Sequence, residues 1–186
     1  MTAIGTPEGY LYAPAGLPLA LLRDLAREPE LPLLLRAKRA PGVDYCRGAG
    51  LWDVPADVFF LCSGEIPLLG MEEAERLAIH YPAGVFEAIP MACDGQAARY
   101  LTDRGILYSP GLASGAGGRA LAFWGLQHAP GLSYWESDRA LRTVMGKIFQ
   151  AAWEESVTSG YPGDLARGAR TAAVRRIGEA LIRKGM

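Results

Sequence analysis

The stretch Ser109-Pro110-Gly111-Leu112-Ala113-Ser114-Gly115-Ala116-Gly117-Gly118 constrains this chain most, because an apolar strand-like run ends there and a long helical pattern begins. Four glycines in eight residues, after a proline that closes the strand, leave backbone N–H groups bare at a helix N-terminus. Such a turn either cradles an anion or cofactor or serves as a tight joint between strand and helix. The residues alone leave both readings open.

The elements around the turn follow from hydrophobic pattern and breakers. Val58-Phe59-Phe60-Leu61 is a continuous apolar run that predicts a strand buried on both faces. Val85-Phe86-Glu87-Ala88-Ile89 is the next strand, and Ile106-Leu107-Tyr108 the last. Between them a helix is expected from about Met71 to His80, and another, capped by Asp94 and ended by Gly105, running to about Asp103. Upstream, Met1 to Ile4 reads as a strand remnant, Gly5 to Gly9 as a turn and Tyr10-Leu11-Tyr12 as extended chain. Pro18 opens a helix with Leu19, Leu22 and Leu25 on one face, while Glu28 to Gly50, rich in Pro, Arg and Gly, reads as a weak helix inside a long connection. After the glycine turn the pattern is helical: about Gly117 to Ala129, Ser137 to Ser156 and Leu165 to Lys184. Strands alternating with helices predict βαβ units and a parallel sheet.

A chain of 186 residues, half of them apolar, supports one domain, or one domain with a helical extension. Its formal charge of −1 gives no electrostatic ground for binding nucleic acid or a membrane surface. Cys46, Cys62 and Cys93 lack C-x-x-C spacing and His80 and His128 are far apart, so neither a disulfide framework nor a zinc site is expected. The start of the chain has no signal-peptide pattern, and the apolar run Leu17 to Leu22 is too short to span a bilayer, so the expected location is the cytoplasm.

Among single residues, Glu87 is the one carboxylate in an apolar strand, and either catalysis or hydrogen bonding to a local loop accounts for it. The second is favoured, because buried carboxylates usually have local partners. His80 complements a helix dipole, and His128 reads as a late-helix surface residue. Arg167, Arg170, Arg175, Arg176, Arg183 and Lys184 read as the solvated face of the last helix rather than a polyanion site.

With these elements placed, the sequence resembles the carboxy-terminal part of the glutamate dehydrogenase family, nearer its NADP-type bacterial members. Tyr108 to Gly118 is similar to the family stretch F-A-P-G-K-A-A-N-A-G-G. Glu8-Gly9-Tyr10-Leu11-Tyr12 resembles S-x-G-Y-I-Y-D, and Pro55 to Cys62 resembles P-C-D-I-A-L-P-C. Near the end, Gly168 to Ala172 looks like G-A-N-I-A and Ala180 to Gly185 like A-M-L-A-Q-G. Ordered partial matches along the whole chain are more specific than any one glycine motif.

The resemblance implies oxidative deamination of L-glutamate to 2-oxoglutarate and ammonia by hydride transfer to NAD(P). It also implies parts not seen here: a substrate domain, and a Rossmann unit opening with G-x-G-x-x-G on its first strand. Three family asparagines that serve the nicotinamide end are matched by Ile66, Pro90 and Gly115, none of which has a side-chain hydrogen-bonding group. The expected fold is therefore an α/β, Rossmann-like parallel sheet lacking its first strand, with a C-terminal helical segment. Residues 1–129 are expected to form the incomplete dinucleotide-binding domain and 130–186 the helical extension. Cys62, Ser63, Glu87, Ser114 and Gly115 are the cofactor-facing positions by resemblance, as remnants of a site for NADP or NAD, and no catalytic residue is assigned. Without its first strand the sheet would have a gap of roughly 9–10 Å. That gap requires a moved Met1 strand, a partner such as a complementary dehydrogenase subunit, or further chain upstream.

Overall fold

A computed structural model describes residues 1–27, 35, 40–62, 67–127 and 133–185. The first pairing is decided by its turn. Only Pro7 and Glu8 separate strands β1 (Ala3–Thr6) and β2 (Gly9–Tyr12), and so short a connection pairs strands antiparallel. Strand β3 (Asp44–Arg47) adds antiparallel to the other side of β2, with Tyr45 opposite Leu11. Two expectations are corrected here. The amino-terminal strands are not part of the parallel sheet, and the end of the presumed connection Glu28 to Gly50 is a strand. Most of the weak helix expected there lies outside the described residues.

Helix α1 (Leu19–Arg27) buries Leu21 and packs Leu22 and Leu25 against Leu11, Ala13, Leu17, Ala40 and Val43, while Leu19 is exposed. The buried face is thus rotated from the expected one, since i and i+4 positions share a face and Leu21 pairs with Leu25. These elements belong to one compact unit, Met1–Ala56 with Glu75–His80. Within it, Arg76 donates to both carboxylate oxygens of Asp53, at 2.9 and 2.6 Å.

The second unit, Asp57–Ala74 and Tyr81 onward, holds strands β4 (Val58–Leu61), β5 (Gly84–Glu87) and β6 (Leu107–Ser109) in the order β4-β5-β6, all parallel. Helices α2 (Met71–Ala78) and α3 (Gly95–Asp103) are the crossovers; Asp94 caps α3 by accepting from Gln96 N, and Gly105 takes the positive φ of 75° that ends it. The fold is α/β, a Rossmann-like parallel sheet lacking its first strand among the described residues. The Met1 strand is accounted for in the separate antiparallel sheet, and β4 is an edge of the parallel one among the described residues.

Strand β4 is not buried on both faces. Phe59 and Leu61 point into the core, whereas Val58 is half exposed and Phe60 is 67% exposed, its ring stacked 5.6 Å from that of Phe86. A continuous apolar run marks a strand's length but not how many of its faces are covered.

The carboxy-terminal helices are α4 (Gly111–Ser114), α5 (Ala116–Gln127), α6 (Tyr134–Thr158) and α7 (Leu165–Arg183). Helix α6 starts earlier than expected because Ser133 and Glu136 form a capping box, Ser133 N donating to Glu136 Oε2 at 2.9 Å. Helices α6 and α7 meet at Gly168, where a Cβ would lie 2.8 Å from the Ala152 carbonyl carbon and 3.1 Å from Ser156 N. Ser156 is fully buried and satisfied, donating to Trp153 O at 2.7 Å and accepting from Gly163 N at 3.2 Å. No described helix is long and apolar enough to cross a membrane.

Candidate functional site

Strand β5 ends at Glu87, with only 3% of its surface exposed, and a carboxylate there needs donors. Three are supplied from later segments. Its Oε1 accepts from Cys93 N at 2.7 Å and from Tyr108 Oη at 2.8 Å; its Oε2 accepts from Gly111 N at 2.6 Å. The side chain thus fastens the loop after β5, strand β6 and the glycine turn to one another.

The glycine turn is closed by its own chain. The N–H groups of Ala113 and Ser114 donate to Pro110 O, and that of Gly115 to Gly111 O, so with Gly111 taken by Glu87 the first amides are spent internally. One of these amides, that of Gly111, meets an anion, and it is the Glu87 side chain of the protein itself. Glycine is required at 111 by close approach: a Cβ would lie 2.5 Å from Ile89 O and 2.7 Å from Pro90 Cα. Ser114 Oγ donates to Glu87 O and to Pro110 O.

Of the expected cofactor-facing residues, the structure brings Glu87, Ser114 and Gly115 together. Cys62 is exposed and follows Leu61, whose register partner is Glu87. Ser63 and Ile66 lie outside the described residues, as does His128. Pro90 and Met91 form the exposed turn after β5, with Met91 at φ 65°. Burial pushes the Cys93 thiol up to about 12, helped by the nearby Glu87 and Asp94 charges. Burial likewise raises the Tyr108 phenol, reinforced by its hydrogen bond to Glu87. Both groups therefore stay neutral, as donors and not as bases.

A model of the Glutamate/Leucine/Phenylalanine/Valine dehydrogenase family matches residues 1–185. The chain belongs to that family. A NAD-specific glutamate dehydrogenase of Porphyromonas gingivalis is 25% identical over 196 aligned residues, covering all of this chain and 43% of that protein. Solved structures share the fold: a Plasmodium falciparum glutamate dehydrogenase superposes with TM-score 0.89 at 23% identity, over all of this chain and 41% of that one. A hetero-hexameric glutamate dehydrogenase from Thermus thermophilus does so with TM-score 0.78 at 24% identity, over all of this chain and 42% of that one. The chain thus spans less than half the length of these relatives.

Tyr108 falls at the phenylalanine of the family stretch quoted above, and its phenol donates to Glu87 Oε1. Sequence reasoning missed Tyr108, Cys93 and the Gly111 amide as Glu87's partners. The available signal was a lone carboxylate in an apolar strand, followed by a tyrosine in the next one. Glu87, Ser114 and the amides of Gly111, Ala113 and Gly115 all have partners within the chain.

Proposed function

We propose that this chain is the carboxy-terminal, cofactor-side part of a glutamate-dehydrogenase-type oxidoreductase, without turnover on its own. Joined to the rest of the family fold, it would take part in the oxidation of L-glutamate and water to 2-oxoglutarate and ammonium, with NAD or NADP reduced. Family membership supports the reaction class, and other relatives carry the name NADP-specific glutamate dehydrogenase, so either cofactor fits the reading. Residues 1–129 would form the cofactor side and 130–186 the helical extension. The observation that supports inactivity of the single chain is the Glu87 carboxylate, which accepts from three donors within the chain.

Calorimetric titration of the chain with NAD and NADP tests this: binding no tighter than about millimolar is expected, because each lost polar contact removes ~0.5–1.5 kcal/mol. A micromolar constant overturns it. Mixed with a polypeptide carrying the rest of the family fold, the chain should restore glutamate-dependent cofactor reduction, and no turnover in that mixture sinks the catalytic reading.

A second reading, a non-catalytic binding or regulatory subunit of a full-length dehydrogenase, is favoured by Ile66, Pro90 and Gly115 at the family's asparagine positions. A hetero-hexameric relative gives it precedent. Failure to capture any full-length dehydrogenase in a pulldown counts against it.

A further inference from the structure

The second unit contains a cleft of about 1030 Å³ walled by α3, by the turn after β6 with α4 and α5, and by the loop between α6 and α7 with the first turns of α7. Four arginines line it, Arg99, Arg119, Arg167 and Arg170, and no lysine does. The cleft shares Glu87, Pro90, Met91, Cys93, Tyr108 and Pro110 with the site described above but includes none of Cys62, Ser114 or Gly115.

The charges in the cleft are unevenly spent. Arg167 is held in place, its guanidinium 3.5 Å over the Tyr161 ring and its Nε 3.4 Å from Asp164 Oδ2. Asp164 also accepts from Arg167 N at the start of α7, at 2.8 Å, and Glu87 is occupied internally. Arg119 and Arg170 reach only the Leu112 and Ala166 carbonyls, at 3.5 and 3.1 Å, and Arg99 makes no ion pair among the described residues. The lining carboxylates are Glu87, Asp103 and Asp164, and of these only Asp164 pairs with an arginine among the described residues.

Elsewhere on α7, two of the basic residues have other partners. Arg175 pairs with Glu155 at 2.9 Å, and Arg183 donates to Glu179 O. The basic set of the last helix therefore divides, and only Arg167 and Arg170 turn to the cleft.

We propose that Arg99, Arg119 and Arg170, with Arg167 fixed on Tyr161, form a binding site for a multiply charged, phosphate-bearing small molecule. Planar guanidinium forks suit tetrahedral oxyanions better than a lysine point charge, and the volume is at the upper end of the ~300–1,000 Å³ of small-molecule pockets.

Titrating the full chain with inorganic pyrophosphate by calorimetry at physiological ionic strength tests the site without any dehydrogenase activity. Saturable binding of one equivalent is expected, weakened about tenfold or more in the Arg99→Gln/Arg170→Gln double variant and unchanged in Arg175→Gln. Thermal melts of both variants, each altered only at exposed side chains, check that they fold. Absence of saturable binding, or an equal loss in Arg175→Gln, overturns the proposal. NADP should compete no better than pyrophosphate itself; markedly tighter binding of NADP would make the cleft part of the cofactor's site and overturn it as a separate one.

Discussion

Two junctions in this molecule are closed on a glycine, and they hold by different means. At Gly111 the chain crosses behind the loop after β5, and its N–H donates to a buried carboxylate; at Gly168 helix α7 presses on the backbone of α6 at Ala152 and Ser156. The first is a polar knot, valuable because breaking it strands donors. The second is a fit of shapes, valuable because nothing intrudes.

Glu87→Ala should separate them most. It leaves Tyr108 Oη, Cys93 N and Gly111 N without their acceptor in a buried place, a loss on the order of 4 kcal/mol in urea denaturation. Glu87→Gln keeps the shape but turns an amide NH₂ toward a donor, and should cost about half as much. If both variants unfold at the wild-type midpoint, the polar junction is not what holds β5 to β6. Gly168→Ala should come next, at about 3 kcal/mol, because two rigid helices have to move apart to admit one methyl group. A thermal melt unchanged by that substitution would show the helix contact to be looser than described.

The polar junction alone should respond to alkali. In the folded chain the pKa of Cys93 is raised to about 12 from its ordinary 9.0, and that of Tyr108 is raised as well, so the unfolded chain loses these protons first. Stability is then fully present below about pH 8.5 and falls as pH rises toward 12, by up to ~1.4 kcal/mol per unit for each group. Denaturation midpoints measured from pH 8 to pH 11 should decline, and Cys93→Ala should flatten the first part of that decline. A slope that is the same with and without the thiol would remove Cys93 from the account. The smallest effect belongs to the turn beside Glu87. Met91 sits at φ 65°, where a side chain is strained, so Met91→Gly should stabilise by about 0.5 kcal/mol in the same assay. A lower midpoint would mean that the exposed methionine makes a contact worth more than the strain.

The same contrast explains what was legible in the sequence. Local signals were: Val58–Leu61 as a strand, Asp94 as the α3 cap, Gly105 as its end, and the last helix within a residue of its bounds. The capping box at Ser133 was equally local and simply lay upstream of the apolar stripe used to place α6. Strand β3 was not legible, because Asp-Tyr-Cys-Arg becomes a strand only by pairing with β2, more than thirty residues earlier. That Glu87 needs donors follows from its neighbours in the strand; which donors does not, since Tyr108 and Gly111 lie 21 and 24 residues on. The arginines of α7 were visible as a set, but only the packing of α3 and the α6–α7 loop decides which two of them share a cleft with Arg99 and Arg119.

The outer side of β4 bears on how the molecule behaves in a tube. Val58 and Phe60 present apolar surface on a strand whose free edge has no partner among the described residues, and exposed Cys62 follows directly. An edge of that kind is a template for another chain's backbone, and it is restrained here by being only four residues long. Left uncovered at high concentration, it will seed aggregation between copies, and air oxidation at Cys62 will make those encounters permanent.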